Sequence, residues 1–74
     1  MNLREEVIAG LVRCRLAGDS RISGLPIDVK VQDGDIHVLG AVESEQQRKT
    51  LELLISGVSG VNQIITDLLM VRPR

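Results

Sequence analysis

Apolar residues recur at every second position in two neighbouring segments of the chain. Ile27–Gln32 and Asp35–Val42 both show this period of two, which is typical of half-buried strands. The dipeptide Asp33-Gly34 between them predicts a two-residue type I′ hairpin turn, with positive φ at Gly34. If Gln32 faces Asp35, the inward apolar residues of the two strands meet on one face. Turn and pattern therefore predict the same register.

Two further segments place apolar residues three and four positions apart, which predicts amphipathic helices. The first helix is expected over residues 3–17, with Asn2 as its N-cap. The second begins at the capping box Ser44-Glu45-Gln46-Gln47 and ends near Gly57 and Gly60. The expected core residues of the two helices are Ile8, Leu11, Val12 and Leu16, then Leu51, Leu54, Ile55 and Val58.

The order helix, strand, strand, helix, strand predicts an α+β domain of αββαβ topology. Both helices are expected to cover one face of a three-stranded sheet. A right-handed crossover through the second helix would place the last strand parallel to the second. This arrangement favours the second strand as the middle one, although the first strand in the middle is an alternative.

The last predicted strand, residues 61–71, breaks the alternation. Ile64, Leu68 and Met70 share one face, and Ile65, Leu69 and Val71 share the other. Because an uncovered sheet face normally carries polar residues, an apolar patch there indicates an interaction surface. The predicted surface comprises Leu39, Ile65, Leu69 and Val71, with His37 beside it. The alternatives are a bulge near Thr66, or a patch that is small and scattered.

Composition narrows the possible functions of this 74-residue chain. Aromatic residues are absent and the net charge is −1, so neither base stacking nor a basic patch supports nucleic-acid binding. The single cysteine, Cys14, excludes a disulfide within the chain, and it is expected to be an inert, partly buried thiol. His37 is the only histidine, and it lacks an evident nucleophile or metal-binding companions.

Four aspartates invite a cation-site interpretation: Asp28, Asp33, Asp35 and Asp67. A calcium site needs six to eight oxygen ligands in a set order, which Asp33-Gly34-Asp35 does not supply. Turn chemistry explains this tripeptide better. We therefore expect no metal site and no cofactor.

Targeting signals are not evident in the sequence. Charged residues begin at Arg4, which does not fit a signal peptide, and no apolar run approaches the length of a membrane span. The chain as given is therefore expected in the cytoplasm. If it is part of a longer exported protein, a periplasmic or membrane-associated location is expected instead.

The motifs taken together resemble the BON domain, a family named after bacterial osmotic-shock and nodulation proteins. The resemblance rests on four segments: the spaced apolar residues Ile8, Val12 and Leu16 of the first helix, the strand and turn over 27–34, Val38-Leu39-Gly40-Ala41-Val42, and Gly60-Val61. The resemblance covers nearly the whole chain and implies one αββαβ domain over residues 1–74 without enzymatic activity. Gly34, Gly40 and Gly60 then have structural roles, in the turn, in close packing or a bulge, and at the helix exit.

Two functions follow from the patch and from the resemblance. The first is a non-catalytic binding module that uses the open sheet face to associate with itself or with another protein domain. The second, implied by the family, is a peripheral module that binds a phospholipid surface. The missing aromatic residues and the absence of a basic stripe weigh against the second.

Overall fold

The structure, a computed structural model, describes residues 3–73. The predicted order of helices and strands is confirmed, and the first helix has the predicted bounds. The predicted N-cap, Asn2, lies outside the described residues. The elements are α1 (Leu3–Ala17), β1 (Ile27–Gln32), β2 (Asp35–Val42), α2 (Glu45–Ser56) and β3 (Gln63–Val71).

The strands form one sheet in the order β1-β2-β3. β2 therefore lies in the middle, as favoured from the crossover argument, and the alternative with β1 in the middle is wrong. β1 and β2 pair antiparallel with Gln32 opposite Asp35, which is the predicted register. β3 runs parallel to β2.

Both helices pack on one face of the sheet, called here the inner face, and their buried residues join one core with the inward residues of the strands. One predicted core residue is misplaced, because Leu11 is exposed and Ala9 is buried in its stead. The loop between α1 and β1 closes the core with Ile22. The fully buried residues are Val12, Ile22, Val29, Ile36, Val38, Val42, Leu51 and Ile55.

The hairpin turn has the backbone that the dipeptide predicted. Asp33 and Gly34 both have positive φ, at 55° and 82°, as a type I′ turn requires. Two other elements hold the turn from outside. The Glu5 carboxylate in α1 accepts a hydrogen bond from the Asp33 N–H, and the Asn62 N–H donates to the Gly34 carbonyl at 2.8 Å. The turn thus anchors the start of α1 and the entry to β3.

The loop after α1 is organised by Asp19. Its carbonyl accepts hydrogen bonds from the N–H groups of Ile22 and Ser23, while its carboxylate pairs with the Arg21 guanidinium at 2.6 Å. The hydrogen bonds from Arg21 hold the pKa of Asp19 at about 2. These bonds fix the backbone that inserts Ile22 beneath the helices.

β3 contains a β-bulge at Thr66 and Asp67. His37 lies opposite Ile65 and Leu39 lies opposite Leu68, so two residues of β3 face one residue of β2. The bulge is the alternative that the broken alternation had left open. An extra residue reverses the side-chain faces that follow it, and this reversal changes the composition of the uncovered sheet face.

Gly40 generates a stability prediction, because its φ of 113° and its neighbours leave no space for a side chain. A Cβ built at this position would lie 1.9 Å from the Pro26 carbonyl oxygen. We expect Gly40→Ala to lower the free energy of unfolding by at least about 2 kcal/mol. Urea unfolding followed by circular dichroism measures this change in the free energy of unfolding.

Gly10 supplies the matched control, because it lies within α1 and a Cβ there would meet nothing within 4 Å. Gly10→Ala is expected to stabilise the protein by about 0.5–1 kcal/mol through the higher helix propensity of alanine. Equal effects of the two substitutions would contradict the close contact at Gly40.

Candidate functional site

The sheet face that the helices leave uncovered, called here the outer face, divides into a polar and an apolar half. The side chains of β1 alternate between the two faces. Ile27, Val29 and Val31 point to the inner face, so β1 contributes Asp28, Lys30 and Gln32 to the outer face. The apolar half lies along β2 and β3, where outward residues of the two strands pair side by side. The pairs are His37 with Ile65, Leu39 with Leu68, and Ala41 with Met70.

The bulge corrects part of the predicted interaction surface. Leu69 and Val71 were expected on the outer face, but they pair with Gly40 and Val42 on the inner face. Leu69 is 9% exposed and belongs to the core, and Val71 packs against it. The prediction was wrong for these two residues because it assumed strict alternation along β3, whereas the extra residue at the bulge reverses the faces of the residues that follow it. Leu39, Ile65 and His37 do lie on the outer face.

Two residues that the sequence analysis assigned to the inner face take the places of Leu69 and Val71. Leu68 is 67% exposed and Met70 is 50% exposed. They stand beside three partly buried neighbours on the same face. We call this surface the outer patch, and it comprises Leu39, Ala41, Ile65, Leu68 and Met70. The apolar surface of β3 was thus predicted correctly, but with the wrong residues after the bulge.

Side chains cover the free edge of the sheet along β1 at one residue, Val29. Val29 is a non-hydrogen-bonded partner of Val38 in the antiparallel register, so its N–H and C=O point away from β2. The Asp28 carboxylate accepts from the Val29 N–H at 2.9 Å, and the Arg13 guanidinium of α1 donates to the Val29 carbonyl at 3.1 Å. These bonds occupy groups with which another strand would otherwise pair.

The opposite edge, along β3, lacks such a cover in the described part of the chain. The Arg72 N–H donates to the Val42 carbonyl at 2.7 Å, so alternation turns the backbone groups of Leu69 and Val71 to the free side. No hydrogen bond within residues 3–73 involves those groups. This open edge adjoins the outer patch, because Leu68 and Met70 lie on the same strand.

The comparisons with known proteins support the same fold. The family model of the BON domain matches residues 4–73. The chain belongs to the BON domain family. A search of the curated proteins gives no match.

The three glycines expected to be structural in this BON domain all have positive φ. Gly34 completes the hairpin turn. Gly40 allows β2 to approach Pro26, whose carbonyl accepts from the Ala41 N–H at 3.1 Å. Gly60 lies against Ile8 of α1, where an added Cβ would be 3.1 Å from the Ile8 Cδ1 atom. Each glycine thus lies where two segments of the fold meet closely.

A second apolar surface of the BON domain was missed in the sequence. Leu3, Val7 and Leu11 are exposed along α1, and Leu11 borders a groove that also contains Cys14 and Val58. Their spacing of four residues was visible in the sequence. It was overlooked because Leu11 had been assigned to the core stripe with Ile8 and Val12.

The next observations concern the cysteine, possible metal ligands and possible membrane-spanning helices in the described residues of this BON domain. Cys14 is exposed, so the expectation of a partly buried thiol is wrong. Within residues 3–73 no three His, Cys, Asp or Glu side chains lie together in an arrangement suited to a metal ion. In the same part of the chain, neither α1 nor α2 combines the length and apolar character needed to cross a membrane.

The bulge predicts opposite consequences for two adjacent leucines. Leu69→Ala removes a core side chain and is expected to cost about 2–5 kcal/mol of unfolding free energy. Leu68→Ala truncates an exposed side chain and is expected to cost less than about 1 kcal/mol. Thermal and urea unfolding of the two variants measure the difference. A larger loss for Leu68→Ala would contradict the bulge and would restore the original assignment of faces.

Proposed function

We propose that this BON domain is a non-catalytic binding module that takes a protein surface on its outer patch. The observation that carries the proposal is the exposure of Leu68 and Met70, at 67% and 50%, on a sheet face that no helix covers. Membership of the BON family supports a binding role in general. The partner is a second copy of the chain or another protein domain.

The physical reason is the free energy gained when these side chains leave water. Burial of a leucine or methionine side chain contributes roughly 1.5–3 kcal/mol. Leu68 and Met70 lie two residues apart on one face of β3, beside Leu39 and Ala41 on β2. One partner surface can therefore cover them together. The polar half of the outer face, with Asp28 and Lys30, would form the rim of such an interface.

The outer patch is preferred to the exposed stripe of α1 for a structural reason. The patch adjoins the open edge of β3, where the backbone groups of Leu69 and Val71 can add hydrogen bonds to a partner. A helix surface has already used its backbone groups internally. The patch therefore combines apolar burial with directional bonding.

A phospholipid surface is the second candidate, because membership of the family suggests it. Charge weighs against it on this face. Asp28 and Asp35 outnumber Lys30 there, and anionic lipids attract basic residues. The chain also lacks the aromatic residues that anchor proteins at a lipid interface.

A lysine substitution in the outer patch tests the proposal. Leu68→Lys is expected to abolish concentration-dependent self-association, or to weaken it at least tenfold, because a charged ammonium would have to be desolvated at the interface. Sedimentation equilibrium of the whole chain measures the effect. Leu53→Lys is the matched control, because Leu53 is 73% exposed on α2, away from the patch. It is expected to leave association unchanged.

Co-sedimentation with vesicles of phosphatidylglycerol and phosphatidylcholine separates the two candidates. No binding of the wild-type protein to these vesicles is expected. Binding that is lost in Leu68→Lys and kept in Leu53→Lys would assign the outer patch to lipid. If the wild-type protein remains monomeric at millimolar concentration, self-association through the outer patch is excluded. Equal weakening by both lysine substitutions would refute the patch.

A further inference from the structure

We infer that Met70 is an oxidation site through which a peroxide weakens binding at the outer patch. The reaction converts the thioether of Met70 to a sulfoxide, which turns an apolar side chain into a polar one. This regulation rests on the proposed function, because it acts on the same surface. It is argued from the few oxidisable groups in the chain, the exposure of Met70 and its contact with Arg72.

Few side chains of this protein react readily with a peroxide. Aromatic residues are absent, so the readily oxidised groups are the sulfur atoms of Met1, Cys14 and Met70. Met1 lies outside the described residues. Cys14 lies on α1, which packs on the inner face of the sheet. Within residues 3–73, oxidation of Met70 is therefore the reaction that adds a polar group to the outer patch.

The Met70 side chain is open to an oxidant in solution. It is half-exposed, and its neighbour on β2 is Ala41, whose single methyl group does not extend over a methionine side chain. The bulge at Thr66 and Asp67 turns Met70 away from the core. A peroxide can thus reach the sulfur while the domain stays folded.

A cationic hydrogen-bond donor already lies at the sulfur. The Arg72 guanidinium donates to the Met70 Sδ atom at 3.4 Å. A thioether sulfur is a weak acceptor, so this contact is readily lost when a partner covers the patch. A sulfoxide oxygen is a much better acceptor, and its hydrogen bond from a guanidinium is charge-assisted. Oxidation would therefore hold both a polar oxygen and a charged group beside the apolar residues.

The reaction needs hydrogen peroxide as its one co-reactant. A lone pair of the Met70 sulfur attacks one peroxide oxygen, so an S–O bond forms while the O–O bond breaks. The sulfur loses two electrons to the peroxide. The proton of the attacked oxygen passes to the departing hydroxide, which leaves as water. The product is methionine sulfoxide, and it persists until a reductase reverses the reaction.

Oxidation opposes binding because a partner would have to desolvate the new polar group. In the reduced chain, Met70 and Leu68 present apolar side chains two residues apart on the same face. In the oxidised chain, the sulfoxide and the Arg72 guanidinium would lose water at the centre of the contact. Burial of polar groups without full compensation is costly. We expect a dissociation constant at least about tenfold higher after oxidation.

Sedimentation equilibrium of the whole chain before and after hydrogen peroxide treatment tests the inference. The Cys14→Ser chain is used as the parent, because it cannot form a sulfenic acid or a disulfide between two copies. Peptide mass spectrometry verifies that Met70 has gained an oxygen atom, and circular dichroism verifies that the domain remains folded. The dissociation constant of the parent is expected to rise at least about tenfold.

Two substitutions at Met70 in the same parent separate its oxidation from other effects of the peroxide. Met70→Leu keeps an apolar side chain of similar volume and retains Met1. Its dissociation constant with peroxide is expected to stay within about twofold of its own value without peroxide. Met70→Gln places a polar side chain there without any oxidant. It is expected to associate about tenfold more weakly than the untreated parent.

The outcomes separate this inference from the proposed function. An unchanged dissociation constant after complete oxidation of Met70, or an equal rise in Met70→Leu, would overturn the regulation and leave the outer patch to be judged by Leu68→Lys. If Met70 stays unoxidised in the folded protein while free methionine in the same solution reacts, the oxidation site is wrong. An untreated parent that is monomeric at millimolar concentration would overturn self-association and the regulation together.

Discussion

Two helices in a chain of 74 residues can cover one face of a sheet, and the whole domain is arranged around that constraint. The inner face must collect apolar side chains from all three strands, because no other core is available to so small a domain. β1 and β2 meet this requirement by alternation. β3 meets it with Ile64 before Asp67 and with Leu69 and Val71 after it. In a regular strand, Ile64 would point to the opposite face from Leu69 and Val71. An extra residue is therefore needed between them for all three to reach the core.

The bulge at Thr66 and Asp67 accommodates it and has a second effect. It delivers Leu69 and Val71 to the core and leaves Leu68 and Met70 in solvent. The exposed apolar surface and the packing of the core thus arise from one irregularity. Bulges commonly occur at sheet edges, where they redirect side chains, and β3 is such an edge.

The two sheet edges are treated differently by the rest of the molecule. α1 contributes Arg13, which donates to the Val29 carbonyl of β1, while its Glu5 accepts from the hairpin turn. β3 receives support from Asn62 at its entry and from the core beneath it, but not along its free side within residues 3–73. This asymmetry leaves backbone groups of Leu69 and Val71 open on the β3 edge, while those of Val29 on the β1 edge are occupied.

Local sequence patterns were enough to predict the features that depend on neighbouring residues. The Asp33-Gly34 turn and the alternation beside it determined the hairpin register, and Ser44 determined the start of α2, where its hydroxyl accepts from the Gln47 N–H at 3.1 Å. The order of elements and the family resemblance followed from these local patterns. Each involves interactions within a few residues, for which periodicity and capping chemistry are reliable guides.

Packing between distant segments sets which residues of β3 and α1 face solvent. The position of the bulge depends on matching β3 to β2 across a parallel register, and the partners are about thirty residues apart in the chain. Leu11 is exposed whereas Ala9 is buried, and the Val29 carbonyl of β1 accepts its hydrogen bond from Arg13, which lies 16 residues earlier on α1. A period counted along one segment carries no information about where its neighbours require an extra residue. For that reason the apolar character of the outer sheet face was predicted from the sequence, whereas packing set which residues form it.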